Sequence, residues 1–151
     1  MIKAVCDTSV LVPPSTRRRL VQAARENLFV PYWSPWIIGE LYRVLMWQWF
    51  DEKRGNYALC ARLSNMMMEQ MSAYFLVADP KPPLDAGWPN LSDENDAPIW
   101  ASAKWIQANY LVSSNVRHFP PKDNDRHVYE GIEYITPERF LRVIGVEIEK
   151  E

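Results

Sequence analysis

Apolar residues come in short runs separated by longer amphipathic stretches. Residues 2–6 form one mostly apolar run of strand length; 28–31, 75–78, 110–113 and 131–135 form others. Pro13 and Pro14 break the chain after the first run, and Ser15 or Thr16 is placed to cap a helix reaching about residue 27. Ser34 caps a second helix with Pro35 at its first position, and Ile37, Leu41, Val44 and Leu45 give that helix an apolar stripe. A further helix is predicted over roughly 56–74. Asp96 precedes Ala97 and Pro98 at the start of another, ending near residue 108. Thr136, Pro137 and Glu138 open the last helix, to Ile144, and residues 147–151 are expected to fray.

Short apolar strands alternating with helices predict an α/β fold: a central parallel sheet with helices on both faces. The proline-rich stretch 80–89 reads as a surface loop, since neither side of it is large enough to stand alone comfortably. Residues 1–151 therefore read as a single domain. In such sheets a site lies beyond the carboxyl ends of the strands, where the strand order reverses.

Composition narrows the chemistry. Seven Trp and an aromatic content of 13% exclude disorder as the main state. Two cysteines, Cys6 and Cys60, exclude a disulfide scaffold and a four-thiolate zinc site, and two histidines exclude a three-histidine centre. Any metal would be held mainly by carboxylates, which suits hard ions such as Mg²⁺ or Mn²⁺. The net charge of −2 hides an asymmetry: residues 1–75 carry nine Lys/Arg against six Asp/Glu, residues 76–151 eight against thirteen. No strong basic field covers the whole chain, so nucleic-acid binding would rest on a local patch and on metal ions. Lys3 and Asp7 interrupt the first apolar run, leaving no signal-peptide stretch. The longest hydrophobic region, 37–50, holds Glu40 and Arg43 and is too short to span a membrane. The expected setting is cytoplasmic, without a membrane partner.

Four places could carry chemistry. Asp7 directly follows the first strand, at the carboxyl edge of the sheet; the bland alternative is a turn aspartate. Glu40 borders the buried stripe of its helix, and a carboxylate pushed towards a core needs a partner, unless its head reaches water. Asp93, Glu94 and Asp96 cluster at a helix start, where capping and the helix dipole alone favour acids. Ser113, Ser114 and Asn115 end a strand, where their oxygens could complete a metal shell or simply make a turn. A strand-end Asp, a helix-border Glu and a helix-start Asp converging at one sheet edge suit a divalent ion that activates water at a phosphodiester.

The chain resembles the PIN-domain ribonucleases, particularly the VapC-like toxins of toxin–antitoxin pairs. The matching segments, in order, are 4–11, 28–31 with 34–41, 93–103, 111–120 and, more weakly, 136–141. The resemblance implies a three-layer PIN-like fold and a metal-dependent endoribonuclease using Mg²⁺ or Mn²⁺. Its acids carry over to Asp7, Glu40 and Asp96, with Asp93 supporting and Asn115 a further candidate ligand. The family's further Asp is missing: Asn115 is neutral, and His118 stands before Phe119 and Pro120 where some members have Asp. The implied partners are RNA and an antitoxin protein, with a homodimer a further candidate.

Arg17, Arg18 and Arg19 follow the first strand, in a helix turn whose dipole they oppose, so phosphate is one candidate reason for them and a solvated face another. Arg117 is a weaker candidate contact. Trp33, Trp36, Trp47 and Trp49 could stack on bases, against the alternatives of core packing or a dimer interface. Met66, Met67, Met68 and Met71 read as packing. The rival reading is a PIN-like module that binds RNA or a protein without cutting, its metal site degraded at Asn115 and His118.

Overall fold

Ala4, Val5 and Cys6 have no exposed surface, as expected of a strand covered on both faces. The computed structural model describes residues 1–53, 55–80, 96–116 and 127–147. In chain order the elements are β1 (Lys3–Cys6), α1 (Thr8–Leu11), α2 (Pro14–Arg25), β2 (Val30–Trp33), α3 (Pro35–Glu52) and α4 (Tyr57–Ser72). They continue as β3 (Leu76–Val77), α5 (Ala97–Trp105), β4 (Tyr110–Val112), β5 (His127–Tyr129), β6 (Ile132–Ile135) and α6 (Pro137–Val143). One six-stranded sheet runs β3-β2-β1-β4-β6-β5. All pairings are parallel except β5 with β6. The α/β architecture with a mostly parallel central sheet flanked by helices is the one expected from the pattern.

The departures have local causes. Helix α2 starts at Pro14, not at a Ser15 or Thr16 cap: Pro13 holds the N-cap position and Pro14 the first turn, where a missing N–H costs nothing. The second strand begins two residues late because Leu28 belongs to the end of α2. Asn27 turns left-handed (φ 59°), and the N–H groups of Asn27 and Leu28 reach back to Ala24 and Ala23. That paired return is the Schellman ending; Gln107 and Gly145 end α5 and α6 in the same way. Pro31 sits inside a strand with neighbours on both sides, yet loses no bond. The N–H of Val30 faces β1, donating to Ile2 at 2.8 Å, and β3 pairs only with Tyr32 and Trp33. Strand β5 escapes the apolar pattern: Glu130 (φ 50°) and Gly131 (φ 80°) form a two-residue hairpin loop with both residues left-handed.

Within the basic run, Arg17 differs from its two neighbours. It is buried, at 6% exposure. Its guanidinium donates to the carbonyls of Leu11 (3.1 Å) and Val12 (3.2 Å) at the end of α1, and to Met67 Sδ of α4 at 3.1 Å. It ties the turn behind β1 to two helices. Arg18 and Arg19 are exposed. Arg17→Ala should therefore cost roughly 2–4 kcal/mol of stability by urea unfolding, since it leaves buried carbonyls unpartnered. Arg18→Ala and Arg19→Ala should each stay within about 0.5 kcal/mol of the parent.

Candidate active site

β1 has β2 on one side and β4 on the other, so the strand order reverses at the carboxyl ends of β1 and β4. The register sets Cys6 beside Val112, which brings the next residues, Asp7 and Ser113, together at that crevice. Two backbone bonds extend the ladder one step: Asp7 N–H to the Val112 carbonyl and Ser113 N–H to the Ile135 carbonyl, both at 3.0 Å.

The side chains then close on one atom. Ser113 Oγ donates to Asp7 Oδ2 at 3.0 Å, and Ser9 Oγ donates to the same oxygen at 3.1 Å. Each hydroxyl oxygen in turn accepts a backbone N–H, from Asn115 at 3.2 Å on Ser113 and from Ser114 at 3.1 Å on Ser9. Both serine protons are thus directed at the carboxylate, and the loop after β4 is laced to the start of α1 through Asp7. Asp7 is only 7% exposed. Burial raises its carboxyl above the ordinary carboxylate range, the Ser113 and Ser9 hydroxyls and the Thr8 N–H pull the other way, and the Glu40 charge pushes it up again. The net direction is upward.

Glu40 reaches this position because α3 starts just past the end of β2. The Ser34 hydroxyl accepts from Ile37 N–H at 3.2 Å, and Pro35 takes the first turn, as the pattern predicts. Ile37 and Leu41 are fully buried, which rotates the half-buried Glu40 to the rim of the core, where its charge acts on Asp7. Neither carboxylate has an ion pair among the described residues. Two carboxylates, one of them desolvated, with hydroxyls and no cation, make an all-oxygen donor set that fits a hard divalent ion.

Asp96 stands at the N-cap of α5, which packs on β1 and α3. It makes no capping bond with its side chain, because its backbone is helical (φ −81°, ψ −12°) rather than extended. Among the described residues, no three of His, Cys, Asp and Glu converge as a metal cage. Asn115 is exposed, joined to the cluster through its N–H on Ser113. Asp93, Arg117 and His118 lie outside the described residues.

Ser9 is the participant that motif reading passes over. Its signal is its place two residues after Asp7, the reach at which a hydroxyl meets a preceding carboxylate. Of the tryptophans, Trp33 is buried against Phe75 (5.0 Å between rings), Trp49 is half-buried, and Trp36 and Trp47 are exposed. Met71 is fully buried, Met67 is half-buried and Met66 is exposed. A family model described as a PIN domain matches residues 3–117. No curated protein matches the chain.

A raised carboxyl in the folded state favours folding below the ordinary value of 3.8 and loses that advantage as pH rises through the folded value. Asp7→Asn keeps an acceptor for the two serines and removes the buried charge. Its Tm should match the parent near pH 3.5 and exceed it increasingly towards neutrality, a trend that thermal melts across about pH 3.5–7.5 would reveal. An Asp7→Asn protein less stable at neutral pH would assign the charged carboxylate a stabilising role instead.

Proposed function

The chain belongs to the PIN-domain family, a nuclease-type family whose nucleases act on RNA, and from that premise we propose that it is a metal-dependent endoribonuclease. One observation carries the reading: a desolvated carboxylate at the strand-order reversal, oriented by two serine hydroxyls, with a second carboxylate's charge upon it. PIN domains typically use divalent metals. Asp7 and Glu40 would hold the ion, with Asp96 the third acid and Asp93 and Asn115 in support. When bound, Mg²⁺ or Mn²⁺ supplies water activation and neutralises charge on the phosphodiester.

The chain's own residues prepare that chemistry. Ser9 and Ser113 occupy Asp7 Oδ2 and fix the carboxylate's orientation, which spares reorganisation when substrate arrives. Burial and Glu40 make a positive partner the favourable way to keep Asp7 ionised. Arg17 and Arg18 line an open groove of about 440 Å³ with Gln22, Arg25 and Tyr74, and Arg18 with Arg19 offers exposed charge to a phosphate backbone.

The finer assignment is the toxin of a toxin–antitoxin pair, VapC-like, cytoplasmic and restrained by an antitoxin protein. It rests on the order of the segments quoted above, and a single domain over 1–151 is part of the same proposal. A non-cleaving RNA- or protein-binding module is the second reading, favoured by the lack of a three-acid cage among the described residues.

Cleavage of a single-stranded RNA with Mg²⁺ or Mn²⁺ separates the two. Asp7→Asn and Glu40→Gln should each lower the rate roughly a hundredfold or more, and chelator should abolish it. In parallel, millimolar Mn²⁺ should raise the Tm of the parent and not of Asp7→Asn. A folded Asp7→Asn protein that cuts at the parental rate refutes the metal mechanism. Replacing Arg18 and Arg19 by Ala should lower the log–log salt slope of RNA binding by roughly 0.7 for each phosphate that the variant no longer neutralises.

A further inference from the structure

The first two turns of α3 carry a second recognisable surface on the side away from the core. Trp36, Gly39, Glu40 and Arg43 recur at the three- and four-residue spacing that stacks side chains along one helix face. With Pro35 they line a shallow bay of about 330 Å³. Trp36, at the second position of the helix, is 46% exposed. Gly39 leaves the surface beside it open: a Cβ built there would meet nothing within 4 Å. Arg43 is exposed and has no ion pair among the described residues. One wall of the bay is Glu40, the same carboxylate whose charge acts on Asp7.

We propose that the Trp36–Gly39–Arg43 bay is a nucleobase subsite, in which a base of single-stranded RNA stacks on the Trp36 indole over Gly39 and its phosphate meets Arg43. This rests on the nuclease reading and adds to it a contact with a base. An indole beside a side-chain-free surface accepts a flat ring and supplies the sequence-tolerant stacking used for single strands. Glu40 disfavours a bare anion in the bay, whereas a neutral ring on Trp36 with its phosphate at Arg43 keeps the charge away from Glu40. Trp36 and Arg43 are seven residues apart, about 10 Å along the helix, within the reach of one nucleotide.

Fluorescence anisotropy in chelator, with a labelled RNA oligonucleotide and the same oligonucleotide carrying abasic sites, tests this on the full chain. The parent should bind the intact strand roughly tenfold or more tightly than the abasic one. Trp36→Ala should lose that preference, binding both strands as the parent binds the abasic one, and Trp36→Phe should keep most of it. Trp47 serves as the control: it lies on the same helix with 63% exposure, edge-on to Phe50 and outside the bay. Trp47→Ala should leave the preference intact. A parent that binds both strands alike, or an equal loss in Trp47→Ala, overturns the subsite. Base-dependent binding without cleavage under any divalent ion leaves the subsite standing and removes the nuclease reading; metal-dependent cleavage without base dependence does the reverse.

Discussion

A carboxylate that leaves water must find partners for its charge, and that requirement at Asp7 organises the centre of this molecule. β1 is buried on both faces, so the residue that ends it inherits a dry environment whatever its chemistry. An apolar residue would suit that place without help. An aspartate there needs donors, and the chain provides them from both sides of the strand-order reversal: Ser9 from the turn that follows β1, Ser113 from the end of β4. Those bonds do not fully offset the desolvation, since the carboxyl remains shifted towards its protonated form. A carboxylate left under-compensated at a sheet's carboxyl edge is poised to take a cation, which is the physical link between this fold and its proposed chemistry.

Arg17 presents the same problem with the opposite sign and a different solution. Its guanidinium is buried, yet it meets two backbone carbonyls and a thioether rather than a carboxylate. The planar fork of donors suits carbonyls that the one-turn helix α1 leaves unpaired at its end. Placing Arg17 inside fixes the turn between Asp7 and α2, and so indirectly fixes Ser9. The run of three arginines therefore divides: the first belongs to the architecture of the site, and the next two are free to meet a ligand.

The elements that depend on spacing are legible in the sequence, and those that depend on geometry between distant residues are not. Ser34 and Pro35 announce α3, and Asn56 announces α4 by accepting from the Leu59 N–H at 3.1 Å. Local rules decide such caps. The shift of β2 is hidden because Asn27, not glycine, takes the left-handed turn that extends the end of α2. Strand β5 is hidden because Glu130 is an unusual first residue for its loop. The place of Asp7, just past the end of β1, is legible from its strand-end position. Its clamp is not, because Ser113 lies 106 residues away and only the register of β1 with β4 joins them. The burial of Arg17 is not legible, because a charge run looks the same whether or not one member turns inward.

Helix α3 shows how one periodicity can serve two surfaces. Ile37, Leu41 and Leu45 bury one stripe, and their packing fixes the rotation of the helix. Trp36, Gly39 and Arg43 then have no freedom to face anything but the outer bay. Glu40 stands between the two stripes, three residues after Ile37 and three before Arg43, so it borders the core and the bay at once. A residue placed one position either way would be buried without a partner or carried out of range of Asp7. The apolar stripe thus does more than anchor the helix: it sets the angle at which a carboxylate can reach the buried aspartate on one side and leave an open surface for a planar ligand on the other.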